Sequence, residues 1–203
     1  TERKKQGLNP SICCWFWGAG TKPMLDSFEE KTGKKGMMVS AVDLLKGIAV
    51  GAGMGVSTVE GANGGLHTNY EGKTEAALKA VLEDGYDFAY IHVEAPDEMG
   101  HQGSVEKKVQ AIEYLDGRVL KPLTERLDAK GTDYRLLILP DHPTPIRVRT
   151  HTADSVPYLL YDSTSPLEGK GDYNEAAGRE SGNYVAEGYR LIERLFQKQR
   201  NCL

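Results

Sequence analysis

The stretch Asp87–Gly103, DFAYIHVEAPDEMGHQG, decides the reading of this chain. Phe88, Tyr90, Ile91 and Val93 make an aromatic and β-branched run of strand length. Just beyond it stand Asp97 and His101, four apart and on one face of a helical turn. A second stretch, Tyr134–Thr152, YRLLILPDHPTPIRVRTHT, repeats the arrangement: a continuous apolar strand, then Asp141, His142 and, nine residues on, His151. Ligands of open α/β sheets collect beyond the carboxyl ends of the strands, so the two clusters meet if the strands are near neighbours.

Working outward, short apolar runs alternate with amphipathic segments. The spacing predicts strands at Ile12–Trp17, Gly36–Val39, Val56–Val59, Asp87–Val93, Tyr134–Leu139 and Val156–Tyr161. Helices are expected from Pro23 to about Lys31, from Ala41 to about Ala52 behind a Ser40 N-cap, and over Lys73–Leu82. One long helix is expected from Ser104 to Leu127, with an apolar stripe at Val105, Val109, Ile112, Leu115, Val119, Leu123 and Leu127 that Pro122 should kink. The last helix spans roughly Tyr184–Gln197, and Gly169–Asp172 is a turn. The class is α/β: a mostly parallel sheet with helices on both faces. The 203 residues suffice for one domain, 1–203, with its own core.

Composition excludes several functions. Net charge is −4 and no long basic block occurs, so a nucleic-acid surface is not indicated. No apolar stretch approaches a membrane span, and the start TERKKQGLNP has no signal-peptide core, which points to the cytoplasm. Cys13, Cys14 and Cys202 are expected as reduced, buried thiols. The absence of an initiator Met ahead of the apolar run ICCWFW is the pattern of a processed or internal start.

The carboxylate and imidazole groups of Asp97, His101, Asp141, His142 and His151 suit a pair of hard-to-borderline divalent cations rather than a thiolate-bound metal. If extended, Asp141 and His142 point apart, and serve two metals or one metal and a supporting role. His92 alternates with Ile91 and Val93 and reads as a hydrogen-bonded core histidine; Glu94 or Glu98 would orient a ligand. His67 reads as a loop residue. GAGMGV lacks the glycine spacing and lysine of a phosphate loop.

HVEAPDEMGHQG, LPDHPTPIRVRTHTADSVPYLLYDS, SAVDLLKGIAVGAGM and NYEGKTEAAL closely resemble the archaeal-type, 2,3-bisphosphoglycerate-independent phosphoglycerate mutases of the alkaline phosphatase superfamily. The similarity runs from about Asn9 to about Phe196. It implies that Asp97, His101 and His151 hold one metal and that Asp141 and His142 contribute to a second. The ions would be Mn²⁺ or Zn²⁺, with Mg²⁺ a further candidate, and no organic cofactor. Lys46 would lie near the transferred phosphate. Arg147, Arg149 and, more weakly, Lys22 would meet a phosphorylated small-molecule substrate. The family's hydroxyl nucleophile and a further Asp ligand come from an N-terminal half whose motifs do not occur here. The resemblance therefore implies an alkaline-phosphatase-like core lacking its N-terminal part, inactive alone and prone to self-association through the surface that half would cover. A related phosphotransferase or phosphatase (a proposed homoserine kinase among them), a non-catalytic metal-binding domain and a metal-free structural domain remain alternatives.

Overall fold

The structure, a computed structural model, describes residues 2–10, 12–14, 20–167 and 171–197. In chain order its elements are α1 (Glu2–Lys5), α2 (Phe28–Thr32), β1 (Gly36–Val39), α3 (Asp43–Gly51), β2 (Gly55–Ser57), α4 (Tyr70–Leu82), β3 (Phe88–Ile91), α5 (Ala95–His101), α6 (Val105–Leu115), a π-helical turn (Asp116–Leu120), α7 (Lys121–Ala129), β4 (Arg135–Ile138), β5 (Leu159–Asp162), α8 (Glu175–Glu180), a 3-10 turn (Gly188–Arg190) and α9 (Leu191–Phe196). β1 is the middle of a three-stranded parallel sheet, with Met38 opposite Val56 of β2 and Tyr90 of β3. β4 and β5 form a separate antiparallel pair, with Leu136 opposite Tyr161. The class is α/β with predominantly parallel pairing.

Alternation along β3 explains the layers. Ala89 and Ile91 face α4, where they join Met37, Val39, Ala77 and Ala80 in one cluster. Phe88 faces the other way and stacks on Phe28 of α2 with ring centroids 5.4 Å apart, while Phe196 of α9 meets it edge-on at 5.5 Å. Helices thus cover both faces of β3. Leu78 of α4 packs with Leu123 and Leu127 of α7, and Ile91, Tyr134 and Leu136 join them. This cluster ties the parallel sheet to β4 without a hydrogen bond between β3 and β4. Each of these buried leucines contributes on the order of 2 kcal/mol.

Several expected boundaries move, each for a local reason. Residues 20–27 are irregular and α2 starts only at Phe28, because Ser27 in an extended conformation accepts the Glu30 N–H. Ser40 caps a tight turn, accepting the Val42 N–H at 3.0 Å, and α3 starts at Asp43 with no side-chain cap. Asn69 caps α4, which starts at Tyr70, three residues before Lys73. The long helix is divided: Ser104 caps α6, Pro122 sits in the first turn of α7, and the π-helical turn absorbs the break. The apolar stripe divides with it. Val119, Leu123 and Leu127 are buried, whereas Val105, Val109 and Ile112 are exposed.

The C-terminal helix is shorter than expected and begins at Leu191 behind the 3-10 turn at Gly188. Residues 12–14 are not strand, and 15–17 of that expected strand lie outside the described residues, as do 169–170 of the expected turn and Cys202. Cys13 and Cys14 are exposed rather than buried. Among the described residues no helix is long and apolar enough to cross a membrane.

Candidate metal centre

α5 begins four residues beyond the C-terminal residue of β3, with Pro96 in its first turn. Pro96 fits there because the first turn needs no amide donor. The helix places Asp97 and His101 one turn apart, with Asp97 Oδ2 3.3 Å from His101 Nε2. His151, from the loop after β4, closes the group: its Nε2 lies 3.4 Å from Asp97 Oδ1 and 3.2 Å from His101 Nε2. Each of the three offers one ligand atom, and these lie within 4.8 Å of one another.

His101 Nδ1 lies 3.0 Å from the Arg149 carbonyl, which can only accept, so Nδ1 carries the proton. The Nε2 lone pair of neutral His101 then faces His151 Nε2. Two such nitrogens at this distance need a proton or a cation between them. Four ligands about 2.05 Å from a tetrahedral ion are separated by about 3.3 Å. The His101–His151 separation of 3.2 Å matches that spacing, and the Asp97 carboxylate reaches both imidazoles, through Oδ2 at 3.3 Å to His101 and through Oδ1 at 3.4 Å to His151. Side-chain exposures of 30% for Asp97, 35% for His101 and 50% for His151 leave the group open to solvent and ligand.

Asp141 and His142 lie beside it. They do not diverge as an extended chain would require, because Pro140, Pro143 and Pro145 punctuate a loop of turns and bends. His142 Nε2 lies 3.5 Å from Asp141 Oδ1, and the His142 ring stacks on that of His151 at 3.7 Å. The loops after β3 and β4 therefore meet even though the strands do not pair.

Beneath these loops lie His92 and Glu94, which the sequence singles out, and Lys73, which sequence reasoning missed. Lys73 of α4 is fully buried and donates to the His92 carbonyl at 2.8 Å and to Glu94 Oε2 at 2.9 Å. Glu94 Oε1 is buried without a hydrogen-bond donor, and His92 Nδ1 stands 3.6 Å away. His92 Nε2 in turn lies 3.9 Å from Asp141 Oδ2, an ion-pair distance rather than a hydrogen bond. Burial disfavours the charged form of His92, but the carboxylates of Asp141 and Glu94 outweigh it and raise its pKa to about 9. Burial likewise opposes ionised Glu94, yet His92 and Lys73 hold its pKa at about 2. His92 chiefly, helped by the neighbouring His142, lowers that of Asp141. Of the two flanking glutamates, Glu94 is the one that meets His92.

Other candidates are placed less centrally. Lys46 Nζ pairs with Asp43 at 3.2 Å on α3, just past the carboxyl end of β1. Arg149 meets the site through its carbonyl, its guanidinium lying against Gly103, and it adopts φ 59, a left-handed conformation rare for a side-chain-bearing residue. Arg147, Lys22 and His67 are exposed.

Gly100 marks a close approach that a side chain cannot enter. A Cβ there would sit 2.5 Å from the Thr144 carbonyl oxygen, a backbone atom. Gly100→Ala should push the loop carrying Asp141, His142 and His151 away from α5, weakening Zn²⁺ affinity by about 10-fold or more and lowering the melting temperature by several degrees. Isothermal titration and a thermal melt check this. An unchanged affinity would mean that the loop is not held by this contact.

The fold and this cluster define an α/β domain with a candidate divalent-cation site at the carboxyl edge of its strands. The chain belongs to the metalloenzyme superfamily, which it matches over residues 2–181. It is 46% identical over 197 residues to a probable 2,3-bisphosphoglycerate-independent phosphoglycerate mutase of Geobacter sulfurreducens, covering 97% of this chain and 49% of that protein. It is 48% identical over 167 residues to the 2,3-bisphosphoglycerate-independent phosphoglycerate mutase of Methanosarcina acetivorans, covering 81% and 42%. Among solved structures, a Pyrococcus horikoshii protein superposes with a TM-score of 0.74 at 26% identity, covering 86% of this chain and 53% of its own. The chain thus spans about half the length of the curated relatives it matches.

Proposed function

We propose that Asp97, His101 and His151 hold one divalent cation, and that Asp141 and His142 supply part of a second site. The observation that supports this is the Asp97–His101–His151 triangle, whose ligand atoms lie within 4.8 Å of one another and whose His101 tautomer turns Nε2 toward His151 Nε2. Carboxylate and imidazole donors without a thiolate favour Mn²⁺ or Zn²⁺, with Mg²⁺ a further candidate.

With these ions goes a reaction: interconversion of 3- and 2-phosphoglycerate, a cytoplasmic step of glycolysis. The relatives' names support this activity for a longer polypeptide of which the present chain is the C-terminal, metal-binding portion. A bound cation pair lowers the pKa of an attacking hydroxyl and neutralises charge on a transferring phosphoryl group. The residues of this chain hold and orient that site. Lys46, Arg147, Arg149 and Lys22 are the cations available to a phosphorylated substrate, Lys46 being the best placed. No hydroxyl among Ser57, Ser104 and Ser155 lies in a nucleophile context, so the chain alone should be inactive. The exposed Leu44 and Ile48 of α3 and Val105, Val109 and Ile112 of α6 suit cover by further polypeptide, or self-association without it.

The test is a fusion of this chain behind the remaining half of the Geobacter sulfurreducens relative. It should convert 3-phosphoglycerate without added 2,3-bisphosphoglycerate and only with Mn²⁺ or a like ion, whereas the chain alone should not. A folded, metal-binding fusion that turns over no phosphoglycerate would remove the mutase reading.

A further inference from the structure

We infer that the Thr144 hydroxyl is a positioning group that locks the two halves of the metal centre together, fixing the Asp97 carboxylate and the tautomer of His142. The inference deepens the proposed metal site and rests on it. Thr144 is only 4% exposed, although it lies in a loop of otherwise accessible residues. Its hydroxyl donates to Asp97 Oδ1. An ionised carboxylate only accepts, so the single hydroxyl proton is committed there. The same oxygen lies 3.3 Å from His142 Nδ1 and can offer that nitrogen only a lone pair. A hydrogen bond at this contact therefore requires the proton on His142 Nδ1 and leaves Nε2, 3.5 Å from Asp141 Oδ1, as the ligand nitrogen.

The direction of this chain, from His142 through Thr144 to Asp97, follows from the single proton of the Thr144 hydroxyl and the acceptor-only Asp97 carboxylate. It also sets Asp97, whose Oδ2 is left facing His101 Nε2 at 3.3 Å. The Thr144 backbone is itself pinned. Lys108 Nζ donates to its carbonyl at 2.7 Å, and Gly100 lets that carbonyl approach α5. Pro143 and Pro145 restrict the chain on either side. A threonine that merely filled space would need none of this polar geometry.

Thr144→Val keeps the shape and removes the hydroxyl, and Thr144→Ser keeps the hydroxyl. Histidine ¹⁵N NMR on the metal-free chain reads the tautomer, Zn²⁺ titration reads affinity, and a thermal melt confirms folding. The wild type and Thr144→Ser should show His142 with its proton on Nδ1, the form less populated in free histidine. Thr144→Val should lose that preference and bind Zn²⁺ about 10- to 100-fold more weakly, as expected for loss of a group that orients a ligand. A wild-type His142 protonated on Nε2, or equal affinities in folded wild type and Thr144→Val, would overturn the inference. A wild type that shows the Nδ1 proton but takes up no Zn²⁺ would overturn the metal reading, and with it any role of the hydroxyl in holding a metal.

Discussion

Replacing Asp97 with alanine should abolish detectable binding of Mn²⁺ or Zn²⁺ at the Asp97–His101–His151 site. The loss should exceed about 100-fold, the upper end of what removing a mere supporting partner costs. Asp97 is the only anion of the triangle and meets both histidines, at 3.3 and 3.4 Å. Without it the two imidazole nitrogens 3.2 Å apart have no carboxylate to offset the charge of an ion between them. A thermal melt reports the same change. At an ion concentration about 100-fold above Kd, binding stabilises a folded chain by about 2.7 kcal/mol. In a chain of this size that is a rise of very roughly 5–10 °C in melting temperature. The rise should vanish in Asp97→Ala and persist in His67→Ala, whose imidazole lies exposed in the glycine-rich loop. Equal responses from the two variants would remove Asp97 from the ligand set.

The contrast between Asp97 and Thr144 shows what a sequence can carry. Asp97 and His101 are four apart behind an apolar run, so strand, helix turn and shared face all follow from local periodicity. β3, α5 and the proximity of the two loops are legible in that way. Thr144 stands between two prolines in PTP, where every local rule says loop. Its burial depends on Gly100, forty-four residues earlier, admitting its carbonyl to α5. Lys73 sits among alanines on a helix and reads as one more solvated lysine, until α4 packs against the sheet and brings it beneath the His92 carbonyl. Ser40 has the chemistry of a helix cap but spends it on a turn. The apolar periodicity of α6 is genuine, yet only the α7 end of it meets the core within this chain. Apart from the local turn at Ser40, the deciding contact in each case is long-range.

Lys73→Met should be the most destabilising of the single substitutions considered. Removing one partner of a buried ion pair costs about 3–5 kcal/mol, because the other charge stays desolvated. Here the stranded partner is Glu94, 9% exposed, with one oxygen already lacking a donor. The His92 carbonyl loses its lysine donor as well. The pH dependence gives the substitution a signature. Glu94 has a pKa of about 2 in the folded chain against an ordinary 4.5. A depressed carboxyl pKa stabilises above the ordinary value, and that stabilisation is lost as pH falls through the folded one. The wild type should therefore lose about 3 kcal/mol from this group between roughly pH 5 and pH 2. Lys73→Met raises the folded pKa of Glu94 and should flatten that slope, which urea unfolding across the range measures. Adding Glu94→Leu to Lys73→Met should recover part of the stability, since the stranded charge goes with it. A double variant no more stable than the single would place the loss in packing around the lysine stem rather than in the uncompensated carboxylate.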